Sequence, residues 1–548
     1  MRKNKPFVDA LQDFSPSIVQ VVSKKKSIGF VSAISLVIGS SIGAGIFIKN
    51  HEILNNVHGS VALAILAWVI AIIGIMALAM ALPEICSGIR TNNQGIIGWV
   101  RKFSSKFMYL GSKNFMSYLH LTIYYFVMPL YLVMTLQEAF GFQMEWYWLV
   151  LISFGVSTWF IWMSGMSAKA ANIQNWITTA IKFLPIIFAV VAGFVLVGLG
   201  KTDWQESSGS INWTGDWPVY SNNLPLFSDK WPVLGVLSSI PAIFFAFDGF
   251  YSTAGIQSEM KEPKKISMAM GVGMAIVSAL DVIISISLLL STSTGKMADL
   301  NVARIIVQIA NICVAVGILG IINGVSIYSA RYYQDLIIHN EIPFSRFLKI
   351  HSHSDRPIMG TLVSFILTIF WFIIFTVVGV FFINSGHYGA IPGWSSSTTG
   401  SAPLYGDKYV CALYSFADLL GNWNAVIAFA IIMFAVIGVM KNRKTNHIKV
   451  TKSKYFMFGG TVSLIIVGIG ILFIPIQSIG NLIYLIGYVN GSILVPSGCL
   501  VPDGVDIFGA SAQIGMLFIF LAIMLLPAIN RSISDRLKGI SKHSHMEY

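Results

Sequence analysis

Twelve apolar stretches, each long enough to cross a bilayer, recur along the 548-residue chain and constrain its fold more than any other feature. A membrane-spanning helix needs about 20 mostly apolar residues. A window of about 19 residues places the stretches at 29–48, 60–82, 114–137, 146–165, 174–199, 233–257, 267–292, 303–330, 357–383, 409–438, 455–476 and 507–528. Charged residues make up only 11% of the chain, against about 25% in a soluble domain. Mean hydropathy is +0.72. These figures exclude a soluble globular enzyme, a disordered chain and a nucleic-acid binder, and predict an all-α polytopic membrane protein. A further apolar segment, 479–495, contains Gly480, Gly487 and Gly491 and runs into Pro496. It is apolar enough to rival the twelve as a thirteenth span, but the glycines and proline that break it up make it read as an external re-entrant or interfacial piece.

The net charge of +12 is a matter of topology. With the N-terminus inside, 29 of the 36 Lys and Arg residues fall in inner segments, and six (Lys49, Lys201, Lys230, Lys296, Arg304 and Lys408) in outer segments or helix ends. Lys182 lies within a span. This asymmetry is the positive-inside signature and places both termini in the cytoplasm. Residues 1–27 are polar and Lys-rich, without the apolar core of a secretory signal. The four cysteines, Cys86, Cys313, Cys411 and Cys499, have no CxxC or metal-ligand spacing. Cys411 and Cys499 fall near the outer face, and nothing in their spacing supports a bridge. No cofactor or metal is expected.

The functional signal is where glycine interrupts apolar spans. The first span carries Gly39-Ser40-Ser41-Ile42-Gly43-Ala44-Gly45 near mid-depth, and the sixth carries Phe244-Phe245-Ala246-Phe247-Asp248-Gly249 at a similar depth. Each interior glycine costs a helix about 1 kcal/mol relative to alanine. In a bilayer, a broken helix persists only where it lines a cavity or binds something. The plainer reading of the first cluster is a small-residue packing face. Gly39 to Gly43 also matches GxSxG, but that motif needs a strand–turn–helix context that a membrane helix lacks. The two interrupted spans are five apart, and an odd-numbered repeat enters the membrane from the opposite side. Matching interruptions in inverted halves point to a midplane site in a secondary transporter. Half-helix amides would receive an anionic group and unwound carbonyls a cationic one. An α-amino acid carries both.

These residues resemble the amino acid–polyamine–organocation (APC) permeases. Ile38 to Phe47 is similar to the family's first-span motif, Glu84 with Gly95 and Gly98 to the following loop, and Asn175 to Lys182 to its fifth span. Phe244 to Gly249 with Glu259 and Pro263, and Gly320 to Arg331 with Pro343 and Pro357, continue the match over residues 28 to 440. The resemblance implies a LeuT-like 5+5 inverted repeat with two additional C-terminal helices, twelve in all, and transport of amino acids by alternating access. The segments are then a cytoplasmic tail (1–27), a first repeat (28–200), an outer loop (201–232), a second repeat (233–440), helices 11 and 12 (441–528) and a cytoplasmic tail (529–548). It also implies that the substrate carboxylate meets amides of Gly43, Ala44 and Gly45. The ammonium would meet carbonyls of Ser41, Phe245 and Ala246, with Asp248 a further candidate and Phe247 a gate.

Charged groups inside spans carry the remaining expectations. Lys182, placed about eight residues and 12 Å into the fifth span, is either a snorkelling lysine or, by resemblance to sodium-independent members, an ammonium standing where relatives hold sodium. Ser329 is a candidate acceptor for it. Asp248 either binds substrate or caps a half-helix. Asp281 and Asp418 are candidate proton sites or packing residues, and His120 is expected to face the inner headgroups rather than relay protons. The leading expectation is a sodium-independent, proton-coupled amino acid permease of the plasma membrane. An obligate amino acid or polyamine exchanger and a non-transporting amino acid sensor are the alternatives. The partners expected are the amino acid, protons and the lipid bilayer, with no nucleic acid. No catalytic constellation supports an enzyme.

Overall fold

Long apolar sequence without strand-like alternation produces helices throughout. The computed structural model describes residues 29–41, 45–57, 59–89, 95–201, 227, 231–251, 253–254, 260–292, 295–350, 357–383, 407–494 and 504–537. Its helices are α1 (Phe30–Ser41), α2 (Gly45–Asn56), α3 (Val61–Ser87), α4 (Ile96–Phe103), α5 (Lys106–Phe115), α6 (Leu121–Phe140), α7 (Trp146–Met166) and α8 (Ala168–Gly198). There follow α9 (Pro232–Ala246), α10 (Ile266–Ser291), α11 (Arg304–Ile338), α12 (Ser345–Ile350), α13 (Ile358–Phe381), α14 (Lys408–Thr445), α15 (Phe456–Val489) and α16 (Gly504–Leu537). Among the described residues there is no strand.

Ten helical stretches are long and apolar enough to cross a membrane, and eleven if α1 and α2 form one span bent by 43°. The expected sixth span is represented by α9, which is apolar but only 15 residues long. Lipid-facing surfaces are recognisable because large apolar side chains stay exposed at helical spacing. On α8, Leu184, Ile187, Val191 and Val195 form such a stripe, which suits a lipid environment. By contrast, α6 is buried on nearly every side, as befits a central helix. It packs lengthwise against α11, which also contacts α8 and α13. Between α5 and α6, Met116–His120 forms a π-turn, an insertion that often marks functional sites.

One boundary differs from expectation. The segment 479–495 is not re-entrant, since α15 runs unbroken through Gly480 and Gly487 to Val489. Those glycines are close-packing positions. A Cβ on Gly480 would run into the Phe227 ring, and one on Gly487 would lie 2.6 Å from Ile493. At 1.5 Å per residue α15 is about 50 Å long, longer than the hydrocarbon core. The helix carrying the fifth span begins at Ala168, 14 residues before Lys182, while its apolar stretch runs Ile173–Gly198, as expected. Lys182 thus lies about 21 Å along the helix.

Candidate functional site

The two glycine-marked interruptions meet in space. A Cβ on Gly45, at the start of α2, would come 2.8 Å from Cα of Ala246, the last residue of α9. A Cβ on Gly249 would come 2.8 Å from the Ser40 carbonyl oxygen near the end of α1. Gly249 also has φ of +100°, a conformation open to glycine and strained for other residues. Glycine at these points therefore permits backbone-to-backbone contact between the broken first and sixth spans. The carbonyl ends of α1 and α9 and the amide end of α2 converge here. Helix ends leave such groups without intrahelical partners.

Of the expected substrate residues, Gly43 and Ala44 lie outside the described residues, as does Glu259 of the motif. Ser41 is buried at the end of α1, and its Oγ has no hydrogen-bond partner among the described residues. The Phe245 carbonyl accepts the Asp248 amide at 3.2 Å, leaving its second lone pair. The Phe245 ring packs against the Lys49 ammonium (5.0 Å to the centroid) and, edge-on, against Tyr131. Phe247 is fully buried and meets Trp68 of α3 edge to face. Asp248 is buried, accepting the Tyr124 hydroxyl on Oδ2 and the Gly249 amide on Oδ1 at 3.0 Å.

The coupling candidates separate. Lys182 donates to the Gly39 carbonyl, and its stem is cradled by α11, where a Cβ on Gly317 or Gly320 would lie 3.1 Å from it. Ser329 is not its acceptor. The Ser329 hydroxyl instead meets Tyr125 at 2.6 Å and the Ser326 carbonyl at 3.2 Å, because that part of α11 turns toward α6. Asp281 is buried on α10, with neither carboxylate oxygen in a hydrogen bond among the described residues. Its helix neighbours fix its level, with Ser278 meeting Met76 and Ser285 meeting Asn50.

Two groups were misjudged from sequence. Lys49, counted as an outer helix end, is fully buried, with Nζ 2.7 Å from Glu52 and 2.6 Å from Asp418. Tyr131 donates to Asp418 at 2.6 Å and Asn422 to Glu52 at 2.7 Å, so this network ties α2 to α6 and α14. Beside it lies a cavity of about 30 Å³ whose lining includes Glu52, Thr135, Glu138, Lys296 and Asp418, roomy enough for a water. His120 does not face headgroups. It is buried, bonding Asn424 through Nδ1 at 2.9 Å and Tyr251 through Nε2 at 3.0 Å. The partners of Lys49 and His120 lie about 300 residues or more away in sequence, except Glu52 and Tyr251. The hint available was that a charged residue in an apolar run usually has a partner. At the opposite, Arg- and Lys-rich end, Glu84 is fully buried in a two-pronged pair with Arg443 at 2.8 and 2.5 Å. Glu341 there gathers Tyr109, Arg101 and Lys113.

Fold and site together define a multi-pass helical membrane protein built around two touching helix interruptions. Residues 28–494 match the amino acid permease family, and the chain belongs to that family. A Mycoplasma pneumoniae protein is 32% identical over 501 residues, covering 85% of this chain and 86% of its own. The serine/threonine exchanger SteT of Bacillus subtilis is 24% identical over 347 residues, 60% of this chain and 72% of its own. The human large neutral amino acids transporter small subunit 2 is 23% identical over 394 residues, 67% of this chain and 69% of its own. A solved manganese transporter from Eremococcus coleocola aligns with 94% of the chain and 97% of its own at 12% identity and a TM-score of 0.47. Family membership makes the chain a transporter, not an enzyme.

Proposed function

We propose that the protein is a sodium-independent carrier of neutral amino acids in the plasma membrane, working by alternating access. The observation that carries this is the contact between the two helix interruptions. The amide end of α2 at Gly45 bears partial positive charge, and the carbonyl ends of α1 at Ser41 and α9 at Ala246 partial negative charge. A zwitterion seated between them would place its carboxylate at Gly45, with Gly43 and Ala44 continuing that site, and its ammonium at Ser41, Phe245 and Ala246. Phe247 would stand beside the site as its gate. The depth of both interruptions supports a LeuT-like arrangement of two inverted five-helix repeats, twelve spans with both termini cytoplasmic.

Lys182 supports sodium independence. Its ammonium holds the Gly39 carbonyl just before the first interruption and supplies in fixed form the positive charge that a bound cation would bring. Asp248, satisfied by Tyr124 and Gly249, favours a neutral side chain over a basic one, in line with the named substrates of the human relative. The Lys49 network stands on the outer side of Gly45 and supports an outward-closed conformation. The name of SteT supports exchange as one mode of operation, with Ser329 and Asp281 as further coupling candidates.

Counterflow tests the reading. Proteoliposomes preloaded with unlabelled neutral amino acids are expected to take up the labelled forms equally in sodium and choline buffers. Lys182→Met is expected to cut that uptake at least tenfold, since it removes a charge-assisted hydrogen bond worth about 1.5–3 kcal/mol. Binding without counterflow would make the protein a sensor, and sodium-dependent counterflow would mean that Lys182 does not stand in for a bound cation.

A further inference from the structure

No Asp or Glu occurs between Asp418 and Asp503, yet six Lys and Arg residues crowd into positions 441–454 of that stretch, at the end of α14 and in the segment leading to α15. One of them, Arg443, is committed to the buried Glu84. Lys441, Lys444, Lys449, Lys452 and Lys454 are exposed, and none of the five forms an ion pair among the described residues. Five like charges so close together repel one another, and no carboxylate nearby in the chain offsets them.

The segment that carries them is pinned to the fold. Asn446, with φ of +52°, closes α14. The Asn442 side chain then grips Ile448 twice, donating to its carbonyl and accepting from its amide, each at 2.9 Å. The Thr451 amide donates to Ser87 Oγ at 2.8 Å and the Ser453 amide to Glu84 Oε2 at 2.9 Å, while Arg443 donates to the Ser453 carbonyl at 2.5 Å. Ile448, Val450 and Ser453 are partly buried by these contacts, and Lys449, Lys452 and Lys454 stay exposed. Where this strap ends, an apolar surface begins. Tyr455 and Phe458 are 59% and 66% exposed, and Ile465, Ile469, Leu472 and Ile476 continue the exposed face along α15. The Lys454 ammonium lies over the Tyr455 ring, 5.7 Å from its centroid. Lysine beside an exposed tyrosine at the end of an apolar span marks the headgroup level of a bilayer.

We propose that the strap is a binding site for an anionic phospholipid, its phosphate held by Lys449, Lys452 and Lys454 and its acyl chains laid along the exposed face of α15. A soluble phosphate would meet the charges and leave the apolar face uncovered. A neutral lipid would cover the face and leave the charges unopposed. A lipid with a negative headgroup satisfies both, and basic clusters at the cytoplasmic end of a span attract such lipids. Because the strap is tied to α3 through Ser87 and Glu84, lipid held on it stabilises the junction of α3, α14 and α15. This goes beyond the transport reading and does not depend on which substrate is carried.

The test uses the full chain in nanodiscs of equal phosphatidylglycerol and phosphatidylcholine, released for native mass spectrometry. The wild type should retain phosphatidylglycerol in preference to phosphatidylcholine. Each lysine near an anionic headgroup is worth about fivefold in affinity. Lys449→Gln, Lys452→Gln and Lys454→Gln together should therefore cut the retained phosphatidylglycerol at least tenfold. Lys102→Gln, Lys261→Gln and Lys264→Gln together remove the same charge from other exposed inner positions and should leave it unchanged. Phosphatidylglycerol added to wild-type protein in detergent should also raise the thermal midpoint by several degrees, a reading that does not depend on any variant folding. Glycerol phosphate, the headgroup without acyl chains, should not. No preference for phosphatidylglycerol in the wild type overturns the proposal. Equal loss in the two triple variants overturns it in favour of diffuse charge attraction. A midpoint rise with glycerol phosphate equal to that with the lipid overturns it in favour of a soluble phosphate ligand.

Discussion

Replacing Lys49 by methionine is the perturbation that most directly tests the proposal that its network holds the outer end closed. Methionine keeps the apolar stem and deletes the ammonium, which lies 2.7 Å from Glu52 and 2.6 Å from Asp418. Two carboxylates that shared one cation at those distances lie within about 5 Å of each other. At an effective dielectric of about 20, like charges so placed repel by about 3 kcal/mol. Their side chains are 23% and 14% exposed, so solvent screens part of this, and about 2 kcal/mol is a fair remainder. That shifts the balance between outward-closed and outward-open forms about thirtyfold. The assay places a cysteine at Thr135, which lines the adjoining cavity, in a background with Cys86, Cys313, Cys411 and Cys499 changed to serine. A membrane-impermeant thiol reagent should modify it at least tenfold faster when Lys49→Met is added. An unchanged rate in monodisperse, folded protein would falsify the idea that this network seals the outer path.

Three further outcomes are expected. Gly45→Ala places a methyl group 2.8 Å from the Ala246 backbone, so counterflow should fall at least tenfold while the circular dichroism spectrum stays helical; undiminished counterflow would show that the helices need not touch. Asp281→Leu removes a buried carboxylate with no hydrogen-bond partner among the described residues, so the thermal midpoint in detergent should hold or rise, and a drop of several degrees would reveal a partner it depends on. His339, just past α11, is held up at about 9 by its hydrogen bond to Asp335. Its contribution is therefore present below its ordinary value near 6.5 and lost as pH rises through 9. The effect is small at this half-exposed site, and His339→Gln should flatten that part of the midpoint-versus-pH curve.

The membrane class, most span positions and the two interruptions were legible in the sequence because a bilayer imposes one-dimensional rules. Backbone groups must bond within the segment, side chains facing lipid must be apolar, and a glycine cluster in such a run stands out against both. Gly45 and Gly249 could be singled out on that ground, and they touch the opposite span where the pattern placed them. Gly480 and Gly487 show the limit of the same rule. As sequence they look like the helix-breaking glycines, yet they are notches filled by Phe227 and Ile493, and only the packed neighbour distinguishes a break from a notch. Lys182 illustrates another boundary. Its presence in a span was evident, whereas its acceptor, the Gly39 carbonyl rather than Ser329, depends on how α8 and α11 are rotated about their axes.

That rotation is what tertiary structure decided. Lys49 was read as a terminal charge and His120 as a headgroup neighbour because each stands near a span end by residue count. Both turn inward, to Asp418 and Asn424 on a helix more than 300 residues away. Hydropathy records how apolar a stretch is, not which side of it meets another helix. A buried charge becomes tolerable through a partner supplied by the fold. The sequence by itself therefore determined that this chain crosses a membrane and where its helices yield. Which polar groups meet at those points came only from packing helices distant along the chain side by side.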